Sequence, residues 1–486
     1  MKGLLKLLEL VLFCGLVIVL LCVISPIFER KESRIRFGGF VEDPAAYDVI
    51  FIGDSHTVNG IYPMELYEDY GIASYNLSGI GNTLPVSYWI MQLAMERMTP
   101  KVVVLGVKDV DYVEKLTASS GDLHTSFDVF PLDRLKTQAI LDLTDNPLAA
   151  DDDGNLFSEM RPEYLFPFIK YHARWKELSP ADFEPTTSVQ KGGTMVVGLS
   201  EPRKYEITED VGFENDGYGY AYLRKAIEYC QSRNIPIVLV NVPYPATYND
   251  QVGEHYVKYI AEEYDVPFID FVYMDYVVDY GTDMYDSFSH LNPSGARKVT
   301  DYLGKYLKEH YDLPDWRDKT DSGWGNLYRE YVTYKLGHIK NHENDLPTIL
   351  TLLHDKHLSL CMTISEDAVF YEDERNEQLL QNVVRRHLFE EDEGLEWSDG
   401  LWPLSGLDDS VWDGAAYSLI VDRKEDAFIE NAENGEEIET SFGRVTFFED
   451  GSISVNDQVY SGNPEAEVRL IIMDEFTGEL VAKLSY

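Results

Sequence analysis

The chain has 486 residues, more than one core ordinarily organises, so two or three domains are expected. Hydrophobic residues make up 44% and aromatic residues 13%, which supplies apolar surface for packed cores and excludes an extended disordered chain. The 85 Asp and Glu against 41 Lys and Arg give a net charge of -44, a field that repels phosphate backbones and argues against nucleic acid as a partner.

At the N-terminus, Leu10 to Ile24 are almost wholly apolar, Ser25 to Phe28 extend the run, and Lys2 and Lys6 precede it. That length suits a membrane span. No small-residue cleavage site closes the run, and Cys22 follows Leu20 and Leu21 where a lipoprotein site places a small residue. An uncleaved anchor over residues 1–36 is therefore expected. Arg30, Lys31, Arg34 and Arg36 follow it and, taken alone, favour a cytoplasmic body. Cys14 and Cys22 lie in the anchor. Cys230 and Cys361 remain for two different predicted domains, so no disulfide framework is expected, as suits a bacterial surface without a strongly oxidising periplasm.

From Tyr47 the chain alternates short apolar runs with helical patterns. Val49-Ile50-Phe51-Ile52-Gly53, Val102 to Leu105 and Ile237 to Val240 read as buried strands, and Ser74 to Leu77 and Pro267 to Asp270 as shorter ones. Helical patterns cover 84–98, 218–233, 251–264 and 293–310. Strand–helix alternation predicts a parallel sheet covered on both faces. Residues 111–216 form an insertion too long for a loop, which predicts a cap folded over the sheet. Within it, Asp151-Asp152-Asp153-Gly154-Asn155 has no Glu at the spacing of a calcium loop and reads as a solvated turn. No metal or cofactor is expected. The α/β domain is drawn at 37–315. After the break at Leu313 to Gly325, a helix over about 325–342 leads into strands at 359–364, 416–421, 444–448, 452–455, 468–473 and 479–485, which predicts a separate β-rich domain over 325–486.

Two clusters carry chemistry. Gly53-Asp54-Ser55-His56 follows the first strand, at the carboxyl edge where open parallel sheets bind ligands. In isolation it reads equally as a helix cap. Asp286-Ser287-Phe288-Ser289-His290-Leu291-Asn292-Pro293 fixes His290 on a loop just before a capped helix, whose stripe Ala296, Val299, Leu303 and Tyr306 anchors it. A serine nucleophile needs a base, and the base needs a group that sets its tautomer. Ser55, His290 and Asp286 supply the three residue types.

Gly53-Asp54-Ser55, then Asn76-Leu77-Ser78-Gly79-Ile80-Gly81-Asn82, then an acidic residue shortly before His290 resemble, in order over roughly 47–310, three of the four blocks of the SGNH (GDSL-like) hydrolase superfamily. The resemblance implies a flavodoxin-like α/β sheet of the SGNH type. It makes Ser55 the nucleophile and an oxyanion donor through its own amide, Gly81 the second donor, and His290 the general base. Two positions depart from the pattern. The family places its Asp three residues before the His, where this chain has Ser287, so Asp286 is one step further away. The third block, Gly-x-Asn-Asp, aligns with Gly106-Val107-Lys108-Asp109, so Lys108 stands where an Asn donor is usual.

The anchor, the altered third block and the insertion look most like the envelope branch, which includes proteins of lipoteichoic-acid D-alanylation and alginate O-acetylation. That likeness implies an extracytoplasmic body on a single-pass anchor in the cell membrane. It also implies a cell-envelope polysaccharide or teichoic acid as substrate, and a membrane-bound O-acyltransferase as partner. Tyr171-His172-Ala173-Arg174-Trp175 resembles a motif of the branch and makes His172, Arg174 and Trp175 candidate glycan contacts. A packed Trp beside a surface Arg is the plainer alternative. The expected function is thus an esterase or acyltransferase, with a non-catalytic glycan-binding or scaffold protein as the alternative.

Overall fold

The computed structural model describes residues 2–486 apart from 30–32, 43–46, 112–118, 147–148, 152, 185–187, 202, 204, 209–216, 275, 320–322, 385–415 and 426. Arg30, Lys31 and Asp152 thus lie outside the described residues. The N-terminal helix Lys2–Phe28 is long and apolar enough to cross a membrane, and most of its apolar side chains from Leu4 to Val23 are exposed.

Five strands, β1 Val49–Ile52, β2 Ser74–Asn76, β3 Val102–Gly106, β4 Ile237–Asn241 and β5 Phe268–Asp270, form a sheet in the order β2-β1-β3-β4-β5. Every neighbouring pair is parallel. The protein is therefore α/β, with the doubly wound 2-1-3-4-5 order, whose ligand crevice opens beyond β1 and β3 where the winding reverses. β1, β3 and β4 are buried throughout, which is why they read as unbroken apolar runs rather than alternating ones.

Helix Tyr218–Ser232 packs against helix Leu84–Met95. Helix Tyr248–Tyr264 starts three residues earlier than its apolar pattern, because Thr247 and Asp250 form a reciprocal capping box. The insertion holds short helices, including Ser120–Phe127 and Arg134–Leu143. These pack on helix Leu84–Met95, one layer out from the sheet on which a cap was expected. Further on, the Lys191 carbonyl accepts the Asn76 amide at 2.9 Å, so this part of the insertion covers the free edge of β2.

By packing, the chain divides into two compact units. The first is 1–194 with 205–273 and 303–325, and the second is 195–204 with 274–302 and 326–486. The segment carrying His290 thus groups with the C-terminal strands instead of the parallel sheet, and the ion pair of Arg297 with Asp355 joins it to them. Lys298 Nζ lies 2.6 Å from Asp283, and Arg297 Nη1 lies 3.1 Å from Asp355, which also binds Lys335.

In the second unit, β6 Leu358–Ile364, β7 Tyr417–Asp422, β8 Ala427–Glu430, β13 Val468–Asp474 and β14 Glu479–Ser485 make an antiparallel sheet ordered β14-β13-β6-β7-β8. A second antiparallel sheet is ordered β12-β11-β10-β9, from β9 Ile438–Thr440, β10 Gly443–Phe447, β11 Ile453–Val455 and β12 Gln458–Tyr460. Cys361, Ile420 and Ile471 of the first meet Val445, Phe447 and Ile453 of the second in one core. Burial of these side chains holds the two sheets face to face.

Candidate functional site

Asp54 leaves β1 in an extended conformation and caps the short helix Ser55–Gly60. Its Oδ1 accepts the amides of His56 and Thr57 at 3.1 and 3.4 Å, and its Oδ2 lies 2.7 Å from His56 Nδ1. Burial alone would raise the Asp54 pKa, but the facing His56 ring and the Lys108 ammonium bring it down to about 2. Ser55 is the first residue of that helix and is half-buried. The Asp54 carboxylate is committed to His56 and to the cap.

The three blocks read from the sequence in this unit meet at Gly53. The loop after β2 is stitched to β1 by Leu77 N donating to Phe51 O at 2.7 Å and Gly79 N donating to Gly53 O at 3.0 Å. Across the β1–β3 boundary, a Cβ on Gly53 would lie 3.1 Å from Gly106 Cα and 2.4 Å from Thr57 Oγ1, and one on Gly106 would lie 2.2 Å from the same hydroxyl. The wedge of Thr57 between two glycine Cα atoms explains why both positions lack a side chain. Asn76 is fully buried and serves as a clamp. Its Nδ2 donates to Thr57 O at 2.8 Å and Ile61 O at 3.2 Å, which holds the helix that begins at Ser55. Gly81 occupies a turn with φ +67, its Cα facing the Asp122 carboxylate.

Lys108 opens a single 3-10 turn after β3. Its Nζ lies 5.3 Å from the centre of the Tyr244 ring, and the His56 ring meets the same Tyr244 edge-on at 5.2 Å. Behind Tyr244 is a polar cluster that the sequence reading missed. Tyr244 Oη donates to Glu254 Oε1 at 2.9 Å. Asn241 Nδ2 donates to the same oxygen at 2.7 Å and to Asp270 Oδ1 at 3.1 Å. Burial raises Glu254 to about 8, reinforced by Asp270, and burial raises Asp270 to about 7. The available signal was polar Asn241 and Asp270 closing neighbouring apolar strands at the carboxyl edge of the sheet.

In the second unit, the Asp286 carboxylate faces the His290 ring. Its Oδ2 lies 2.5 Å from His290 Nδ1. Its Oδ1 accepts the amides of Phe288, Ser289 and His290 at 2.9, 2.7 and 3.3 Å. The turn from Asp286 to His290 wraps around the carboxylate. Ser287 turns away and donates to Glu201 O at 2.8 Å. Burial raises the Asp286 pKa, but the His290 hydrogen bond and the Phe288 and Ser289 amides outweigh it, and the carboxyl sits below its ordinary value. A carboxylate at Nδ1 requires that nitrogen to carry the proton, which leaves Nε2 as the acceptor.

The loop is fixed downstream as well. Asn292 Oδ1 accepts the Gly295 amide at 3.2 Å, and its Nδ2 donates to Thr282 O at 2.8 Å, capping helix Pro293–His310. The buried stripe of that helix is Ala296, Val299, Leu303 and Leu307. Tyr306, expected in the stripe, is only half-buried, and its ring stacks on His310 at 4.1 Å.

The candidate glycan contacts divide. Arg174 is committed elsewhere: its Nη1 donates to Phe28 O at 2.5 Å and Glu29 O at 2.6 Å, and its Nη2 to Asp182 at 3.2 Å. It satisfies carbonyls at the end of the N-terminal helix, groups that a helix terminus leaves unpaired. His172 is exposed and donates from Nδ1 to Ile169 O at 2.8 Å, and Trp175 is 63% exposed.

No protein-family model matches the chain, and no curated protein matches it either.

Proposed function

We propose that the protein is a membrane-anchored serine acyl-ester hydrolase or acyltransferase of the SGNH type. It would work outside the cytoplasm on an acyl ester of a cell-envelope polysaccharide or teichoic acid, beside a membrane-bound O-acyltransferase. The extracytoplasmic placement rests on the family resemblance and runs against Arg34 and Arg36, which follow the anchor. One observation supports the chemistry: the Asp286 carboxylate, held by three backbone amides, lies 2.5 Å from His290 Nδ1, as the orienting group of a general base would.

In this reading Ser55 Oγ attacks the ester carbonyl and His290 Nε2 takes its proton. Asp286 stabilises the imidazolium, which then protonates the departing alcohol. Water or a polymer hydroxyl next attacks the acyl-Ser55 carbonyl and gives its proton to His290, which passes it to the departing Ser55 oxygen as acid or new ester is released. The amides of Ser55 and Gly81 would receive the oxyanion, with Lys108 in the place of the usual Asn.

Lys108 also favours a second reading, a non-catalytic glycan-binding scaffold, because its cation lies over the Tyr244 ring. Ser55→Ala separates the two. Turnover of an activated acetyl ester and labelling by a serine-reactive phosphonate are expected to vanish in the variant with the fold intact. Equal hydrolysis by both proteins, or no labelling of the wild type, sinks the catalytic reading. Glycan binding that survives Ser55→Ala without any change in polymer acylation supports the scaffold.

A further inference from the structure

The end of the N-terminal helix is gripped by one part of the insertion. Arg174 binds the carbonyls of Phe28 and Glu29. Phe28 packs edge-on against Phe168 at 5.1 Å. Around this grip the insertion presents large apolar side chains to solvent: Ile169 is 43% exposed, Trp175 63% and Phe183 64%. Lys170 and Lys176 stand among them, with Lys176 Nζ 5.4 Å from the Trp175 ring centre. An exposed Trp with flanking lysines is the composition of a membrane–water interface, where an amphipathic ring sits at headgroup depth and long cationic stems reach toward water.

Length places this patch. The 26 residues Gly3–Phe28 span about 39 Å at about 1.5 Å per residue, against about 30 Å of hydrocarbon in a bilayer. A helix centred in the membrane therefore brings Phe28 into the headgroup layer. Arg174 is hydrogen-bonded to Phe28, and Trp175 is its neighbour in the chain, so the grip delivers the exposed residues to the same depth.

We propose that residues 168–183 form a membrane-seating surface, with Trp175, Phe183 and Ile169 inserted at headgroup level around the exit of the N-terminal helix. This rests on the anchor reading and is independent of the acyl-transfer chemistry. The seat would fix the tilt and height of the first unit above the bilayer, which a single helix leaves free.

The test uses the full chain in phosphatidylcholine vesicles whose acyl chains are brominated either near the glycerol end or near the methyl end. The Trp175 signal is the emission lost on Trp175→Phe, and the N-terminal helix contains no Trp. The expected result is loss of most of that signal in bromolipid, more with bromines near the glycerol end. If the chain floats with the vesicles and the Trp175 signal is unquenched, or is quenched more by the deep bromines, the seating surface is wrong while the anchor stands. If the chain does not float with the vesicles, the anchor reading fails and takes the proposal with it.

Discussion

Asp286→Asn isolates a single atom of the proposed machinery. The Asn carbonyl can still accept the three amides now held by Oδ1, at 2.7 to 3.3 Å, so the loop is expected to keep its shape. What changes is the group 2.5 Å from His290 Nδ1: an acceptor becomes an N–H donor. Two donors cannot face each other at that distance, so His290 is expected to move its proton to Nε2 and cease to be a base. The same substitution in the serine-protease triad lowers kcat by about 10⁴ through the wrong tautomer, which corresponds to about 5 kcal/mol of barrier at about 1.36 kcal/mol per decade. The pair is partly exposed, so its contribution to stability is small, under about 1 kcal/mol. The assays are kcat/KM on an activated acetyl ester and nitrogen-15 NMR of the imidazole, which reports the tautomer whether or not the protein is an enzyme. An Asp286→Asn protein within tenfold of wild-type rate, or one whose His290 keeps its proton on Nδ1, refutes the reasoning.

Two further outcomes test the electrostatics. Asp355 is buried with Arg297 and Lys335 against it, and these cations hold its carboxyl well below the ordinary range despite the opposing effect of burial. Asp355→Ala removes the carboxylate shared by buried Lys335 and half-buried Arg297 and is expected to destabilise the second unit by about 3 kcal/mol, read from its denaturant midpoint. Burial raises Glu254 to about 8 and Asp270 to about 7, so the folded state binds protons that the unfolded state releases near the ordinary values of 4.5 and 3.8. The stability from this pair is fully present below those values and declines as pH rises from them to about 7 and 8. Thermal unfolding across that window is expected to show the decline, and Glu254→Gln to flatten it. A decline of equal size in the variant assigns it to other groups.

How much was legible followed from whether the cause was local. β1, β3 and β4 were readable because strands buried on both faces need uninterrupted Val, Ile and Leu. The Asn292 cap and the Asp286–His290 pair were readable because they join residues within one turn. β8 is largely exposed and β12 is a three-residue edge, so neither carries the alternation that marks a half-buried strand. The short helices of the insertion escaped notice because their apolar positions are sparse and their starts are set by single caps such as Asp133. The Tyr244, Glu254 and Asp270 cluster joins a loop, a helix and a strand end, and only tertiary folding brings them together. The Arg174 contacts were illegible for the same reason: its partners Phe28 and Glu29 lie 146 and 145 residues away.

The Arg174 grip has a practical consequence for anyone preparing a soluble form. Cutting the chain just after Phe28 would remove one of the carbonyls that the guanidinium caps and the ring that Phe168 packs against. It would also free the Arg34 guanidinium from the Pro26 carbonyl. A shortened version that aggregates would then report a damaged joint and say nothing about the stability of the parallel sheet. Starting upstream of Ser25 keeps the joint whole. Where the apolar stub is intolerable, replacing Arg174 and Phe168 together removes both halves of the grip at once.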